Sequence, residues 1–500
     1  MNQNRRDFLK TTSVLSAAGL ATGLAHGAKS EESRSKRQKQ PNLVYVFPDQ
    51  MRRHAMGFMK QDPVLTPNLD KFAKRSVILD NACSTYPVCS PHRASLLTGQ
   101  YPITTGFYSN CRGDRPDVFL NPETECFTDV LHNNGYHVGY IGKWHLERGE
   151  PGEGYASPWV AKERRHNIDF WHSWCNQLQD EYGKRIPWES DHFHFGYWVD
   201  DAGPEERHFP GPIWSAIYET NVAADYISNR NGERDADKPF ALFVSWNPPH
   251  NPYDSVPQNY KELYKDATPG ELLNRPNVSK ENRGAEALEH VQGYFGAVTG
   301  VDDQFGRILH AIEEAGLEED TIIVFTSDHG EMMGSHGEMG KPYVWEEAFG
   351  VPFLISWKNH LEARHEELLL GTPDIMPTLL GLMGLDKKIP DTVEGRDYSA
   401  ALEDKPGAVR PEFAWYYNYW NARGLRTKDE GCYFYRDGRG RNVDYLFDLR
   451  NDPFQMENLG AAKVSRSREF GAEVKRWMKE YGDTFFSQRA KRDYLDTIPG

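Results

Sequence analysis

Four short apolar runs in this chain stop abruptly at polar residues. Leu43-Val44-Tyr45-Val46-Phe47 ends at Asp49-Gln50, and His137-Val138-Gly139-Tyr140-Ile141 ends at Gly142-Lys143-Trp144-His145. Phe240-Ala241-Leu242-Phe243-Val244 ends at Asn247-Pro248-Pro249-His250, and Thr321-Ile322-Ile323-Val324-Phe325 ends at Ser327-Asp328-His329-Gly330. Short, β-rich runs without alternation predict strands buried on both faces, as in a parallel sheet covered by helices. Helices are expected between them, over Asn68–Arg75, Phe127–Asn134, Trp214–Asn229, Ala285–Ala315 and Asp374–Met383. In open α/β sheets ligands sit beyond the carboxyl ends of the strands. All four runs place Asp, His or Lys at that end, which points to a single cleft.

The texture changes after about residue 385. Trp415–Asn421 is rich in aromatics, and Gly424–Arg426, Gly431–Tyr435 and Tyr445–Leu449 read as short antiparallel strands joined by Gly/Asp turns. A last amphipathic helix is expected over Ser467–Tyr481. The expected fold is α/β: a large, mostly parallel sheet flanked by helices over 41–385, then a small α+β subdomain on a short antiparallel sheet over 386–500. The stretch Trp159–Trp214, with many Trp and His residues and no clear periodicity, is expected to be an insertion near the cleft mouth.

Composition narrows the function. At 500 residues and 38% hydrophobic, the chain has ample material for a large core. A net charge of −15 argues against a dedicated nucleic-acid binder, whose phosphate contacts need a basic surface. Six cysteines are too few for a disulfide scaffold. Arg5-Arg6 ahead of a soft apolar run, Ser13–Ala25, and of Gly27-Ala28 predict a twin-arginine export signal over 1–28, handled by the Tat translocon. That run is shorter than the roughly 20 residues a membrane span needs. Residues 29–40 read as a solvated linker, no later segment approaches an integral membrane span, and a periplasmic or secreted location is expected.

The most informative segment is Cys89-Ser90-Pro91-His92-Arg93-Ala94-Ser95-Leu96-Leu97-Thr98-Gly99. Ser90-Pro91 suits a helix start, and a helix N-terminus with a cation four residues on stabilises negative charge at Cys89. This segment resembles the signature of the type I (formylglycine-dependent) sulfatases of the alkaline-phosphatase-like superfamily. The resemblance continues in the same order through Thr66-Pro67-Asn68-Leu69-Asp70, Gly142-Lys143-Trp144-His145, Pro249-His250-Asn251-Pro252-Tyr253 and Ser327-Asp328-His329-Gly330. It closes with Leu446-Phe447-Asp448-Leu449, Asp452-Pro453 and Glu457-Asn458-Leu459, and covers roughly residues 41–460.

The resemblance implies that a formylglycine-generating enzyme converts Cys89 to formylglycine, the nucleophile. It implies a divalent cation, Ca2+ or alternatively Mn2+ or another ion, held by Asp49, Gln50, Asp328, His329 and residue 89. Oxygen ligands with one imidazole admit that range. The family more often has Asp where this chain has Gln50, and often Asn where it has His329. Arg93 and Lys143 are expected to stabilise the nucleophile and Lys341 to contact the sulfate. His145 is the expected base, and His250 the acid that protonates the leaving alcohol. His336 is open between a substrate contact and a structural hydrogen bond. Asp302-Asp303 is expected on a helix surface or at a cap.

Trp171, Trp174, Trp198 and Trp214, with His172, His192 and His194, are candidates for a leaving-group pocket, because aromatic faces stack on sugars. The expected substrate is a sulfated carbohydrate or an aryl sulfate. Two alternatives stand beside this reading. One is a formylglycine-dependent phosphonate monoester or phosphodiester hydrolase. The other is a non-catalytic sulfated-glycan binding protein in which Cys89 stays a thiol.

Overall fold

The computed structural model describes residues 40–148, 159–174, 197–201, 203, 206, 208, 210–211, 213–419, 421–436 and 442–483. The expected export signal, residues 29–39 of the linker, and His192 and His194 lie outside the described residues.

The four apolar runs are strands: β1 (Asn42–Val46), β3 (His137–Lys143), β6 (Phe240–Ser245) and β7 (Thr321–Thr326). The others of the same sheet are β2 (Val77–Leu79), β4 (Phe170–Trp174), β5 (Trp198–Val199), β8 (Phe353–Ser356) and β9 (Arg364–Glu366). Their order across the nine-stranded sheet is β5-β4-β3-β6-β1-β7-β8-β2-β9. The four predicted strands are therefore neighbours, β3-β6-β1-β7, all parallel. Only β5 and β8 run against the rest.

Each central strand divides its side chains between two cores. Leu43 and Tyr45, with Ala241, Phe243, Ile322 and Val324, pack into the core on one face. Val44 and Val46, with Leu242, Val244, Ile323 and Phe325, pack into the core on the other. Burial on both faces is why these strands carry no polar alternation. Seven helices matter to the layers: α1 (Pro67–Ala73), α2 (Cys89–Thr98), α3 (Phe127–Asn133), α4 (Ser215–Ser228), α5 (Arg283–Glu314), α6 (Thr372–Leu382) and α7 (Val464–Glu480). Residues of α2, α3 and α6 join the first core, and those of α1, α4 and α5 the second.

A separate four-stranded antiparallel sheet, β10 (Ala414–Asn418), β11 (Ala422–Arg426), β12 (Glu430–Arg436) and β13 (Asn442–Asp448), follows in meander order. Trp477 of α7 stacks on Trp415 of β10, their ring centroids 4.9 Å apart and their planes nearly parallel.

Part of Trp159–Trp214 departs from the expected insertion. Phe170–Trp174 is a fully buried strand pairing in parallel with β3, and its aromatic residues suit a strand packed on both faces. Asp302 is a cap, as one expected option had it: from α5 it accepts the backbone N–H groups of Asn68 and Leu69 at the start of α1.

Candidate active site

The chain reaches the site from the ends of four adjacent strands and the start of one helix. Cys89 opens α2 and is buried. Its Sγ lies 3.3 Å from His329 Nε2, 3.7 Å from Asp49 Oδ1 and 3.9 Å from Lys143 Nζ. Burial pushes the thiol up, but Lys143, Lys341, His329 and a hydrogen bond to His145 outweigh it and hold the thiol well below its ordinary range. Anionic character at this position is therefore favoured.

Two buried carboxylates flank the sulfur. Asp49, just past β1, receives Lys143 Nζ at 2.7 Å and Arg93 Nη2 at 3.1 Å on its Oδ2. Asp328, just past β7, receives Arg93 Nη2 at 3.1 Å on Oδ2, and the Gln50 and His329 backbone N–H groups on Oδ1. Burial and Cys89 push the Asp49 carboxyl up, but Lys143, His250 and His329 win and hold it below the usual carboxylate range. Burial and the Asp49 charge push Asp328 up to about 6. Two like charges beside one thiol split in this way.

Asp49, Cys89, Asp328 and His329 each present a ligand atom within 4.8 Å of the others. The His329 Nδ1–H donates to the Gly330 carbonyl at 3.0 Å, which leaves the Nε2 lone pair facing the cluster. Such a set is compatible with a divalent cation. Gln50, the other expected ligand, has both ends of its amide engaged by neighbours. Its Oε1 accepts from Lys341 Nζ, and its Nε2 donates to the Tyr253 hydroxyl and to Glu331.

Backbone geometry serves the same centre. Gly142, at φ 96°, lies near the end of β3 beside Ser245, whose carbonyl oxygen would lie 2.1 Å from an added Cβ. Only glycine fits there, and the chain then delivers Lys143 and His145. Gln50 and His145 themselves hold positive φ, 67° and 56°. Such conformations are uncommon outside glycine and cluster at functional sites. His145 is buried, which lowers its pKa to about 4. His250 donates from Nδ1 to the Asn251 carbonyl at 2.7 Å, so its Nε2 is left for the cleft. Burial and Lys341 lower its pKa.

Beside this centre opens a cavity of about 530 Å3, lined by Gln50, Tyr253, Arg283, His290, Met339 and Lys341 among others. Trp171, Trp174, Trp214 and His172 do not line it. Trp171 packs on Tyr140 and Trp144, and the Trp174 indole N–H donates to Glu219. Trp214 packs on Tyr260, and His172 lies among Tyr197 and Tyr218. All four are buried in the layers. His336 stacks on Trp345 at 4.4 Å with Asn277 Nδ2 3.2 Å from its Nε2, which favours its structural reading. Glu331, Tyr253, Arg283 and His290 were not singled out in the sequence, although Glu331 directly follows Ser327–Gly330 and Tyr253 ends the Pro249–Tyr253 segment.

Comparison with known proteins agrees with this geometry. The family model described as Sulfatase matches residues 41–385, and that described as N-sulphoglucosamine sulphohydrolase, C-terminal, matches residues 334–481. The chain belongs to the sulfatase family, within the alkaline-phosphatase-like superfamily, and is a sulfatase. It is 35% identical to an endo-4-O-sulfatase of Bacteroides thetaiotaomicron over 95% of this chain and 99% of that protein. It is 36% identical to an ulvan-active sulfatase of Formosa agariphila over 91% of this chain and 83% of that one. A solved structure from Bacteroides thetaiotaomicron, described under the metabolism of multiple glycosaminoglycans, superposes with a TM-score of 0.82 at 34% identity, over 92% of this chain and all of that one.

Proposed function

We propose that this sulfatase hydrolyses sulfate esters of a polysaccharide or its oligosaccharides, through a formylglycine made from Cys89 and with a divalent cation, calcium by preference. The observation that carries the reading is the buried convergence of Cys89, Asp49, Asp328 and His329 with the cations Arg93 and Lys143. Relatives whose names specify 4-O-sulfates and ulvan support a glycan substrate.

Asp49, Asp328 and His329 would hold the cation, with residue 89 as a further ligand and the Gln50 amide oxygen, which also meets Lys341, completing the set. When bound, the cation supplies a Lewis acid that polarises the sulfate and lowers the pKa of the attacking hydroxyl. Formylglycine at position 89 would supply a geminal diol, with one hydroxyl to attack sulfur and one to let the aldehyde re-form as sulfate departs. Arg93 and Lys143 hold negative charge at residue 89, and Lys341 receives a sulfate oxygen. His145, neutral at working pH because burial lowers its pKa to about 4, accepts the proton of the second hydroxyl. His250 donates a proton from Nε2 to the leaving alcohol. The anionic sulfate arriving beside His250 offsets the burial that lowers its pKa.

The sugar would occupy the 530 Å3 cavity that adjoins Lys341. Export through the Tat system, to the periplasm or beyond, fits the N-terminal sequence and such a substrate.

The test is inorganic sulfate release from a panel of sulfated polysaccharides, their oligosaccharides and an aryl sulfate. The protein is co-expressed with a formylglycine-generating enzyme, and Cys89→Ala is the control. Glycan-dependent release that the control lacks is expected. No release, with the aldehyde present by mass spectrometry, would move the assignment to phosphonate or phosphate diesters. An unmodified thiol with glycan binding and no turnover would favour a binding protein.

A further inference from the structure

Glu331 has no part in the chemistry above, yet its carboxylate is completely buried against the cleft. Every described hydrogen bond to that carboxylate comes from a donor. Oε2 accepts from the Tyr253 hydroxyl at 2.7 Å and from Gln50 Nε2. Oε1 accepts the backbone N–H groups of Met333 at 2.9 Å and Gly340 at 2.6 Å. Gly340 directly precedes Lys341, whose Nζ donates to the other end of the Gln50 amide. Glu331, Gln50 and the Gly340-Lys341 segment thus close a ring of hydrogen bonds.

We propose that Glu331 is a positioning residue of the sulfatase reaction: it orients the Gln50 amide and anchors the loop of Lys341, and so places the ammonium that receives sulfate. The inference rests on the reading of Lys341 as the sulfate contact.

The chemistry of the ring is specific. An ionised carboxylate is the one side-chain group that accepts at both ends and donates at neither, which four donors require. Gln50 must donate toward Glu331 and accept from Lys341, and an amide does both. Flipping that amide would set oxygen against carboxylate and NH2 against ammonium, so its orientation is forced. A carboxylate at position 50 would meet Glu331 acceptor to acceptor in a buried space, which costs free energy unless one is protonated.

The test measures the dissociation constant of inorganic sulfate by calorimetry, with kcat and KM on 4-nitrophenyl sulfate and thermal unfolding alongside. Glu331→Gln and Gln50→Glu are each expected to weaken sulfate by at least about tenfold, the loss of one charge-assisted hydrogen bond. The double variant Gln50→Glu/Glu331→Gln restores the donor–acceptor match and is expected to recover most of the affinity. Tyr253→Phe, which removes one of the four donors and is milder for folding, is expected to weaken sulfate severalfold.

A lowered unfolding temperature with unchanged sulfate affinity in Glu331→Gln and Tyr253→Phe would make Glu331 merely structural and overturn the proposal. Failure of the double variant to improve on either single variant would also overturn it. If Lys341→Ala leaves sulfate affinity unchanged, the sulfate-contact reading itself has failed and the proposal falls with it. If Lys341→Ala weakens sulfate and Glu331→Gln does not, the positioning proposal alone falls.

Discussion

The Lys143 ammonium lies 2.7 Å from Oδ2 of Asp49, with both side chains almost wholly out of solvent. Breaking a buried pair leaves a charge without compensation, at a cost of about 3–5 kcal/mol. Arg93, 3.1 Å from the same oxygen, retains part of that compensation. Lys143→Met is therefore expected to lower the unfolding temperature modestly and turnover by at least about 100-fold, the scale of one electrostatic stabiliser. Lys143→Arg is not expected to rescue, because a planar fork does not replace a point charge. Steady-state kinetics on an aryl sulfate and a thermal melt decide both.

His250 is expected to matter in proportion to the leaving group. His250→Ala should reduce sulfate release from an alkyl or sugar ester by roughly 100-fold or more, within the range of general-acid catalysis. An activated aryl ester, whose phenolate leaves unaided, should lose much less. Equal losses on the two substrates would remove His250 from the acid role.

Metal removal should act on stability as well as on turnover. Dialysis against EDTA is expected to lower the unfolding temperature, because an ion held by Asp49, Asp328 and His329 would bind only the folded chain. Calcium should restore it, and calorimetry should find weaker calcium binding as pH falls below about 6, where a proton competes for the Asp328 carboxyl.

Glu219 yields a pH prediction away from the chemistry. This buried carboxyl on α4 accepts from Trp174 Nε1 at 2.8 Å and the Tyr197 hydroxyl at 3.0 Å on one oxygen. Burial raises its pKa from 4.5 to about 8. The folded chain keeps this proton while the unfolded chain loses it, so stability falls as pH rises between those values and is flat above. Glu219→Gln keeps the shape and the accepting oxygen. It should raise the unfolding temperature near pH 8, on the order of 1 kcal/mol for each unit of separation, and flatten the slope. A variant whose stability declines with pH as steeply as the parent would refute the assignment.

The central sheet was legible because its strands are buried on both faces, so uninterrupted runs such as Leu43–Phe47 and Phe240–Val244 announce themselves. The long helices were legible too: Ser215–Ser228 and Arg283–Glu314 fall within a residue or two of their expected limits. The short strands Val77–Leu79 and Arg364–Glu366 were not, since three residues carry no period. Phe170–Trp174 was hidden by its tryptophans, which read as a binding surface but serve the core.

The chain's linear order thus specified which side chains end the strands: Asp49, Lys143, His145, His250, Asp328 and His329 follow apolar runs wherever the strands come to lie. What only folding decided is their relation. The sheet order β3-β6-β1-β7 brings together residues nearly 280 positions apart, and hydrogen-bond geometry then sorts them. It turned Gln50 toward Lys341 and Glu331, and withdrew Trp171 and His172 into the core. Strand ends are local properties of sequence, whereas partners across a cleft are set by long-range packing, which no short window contains.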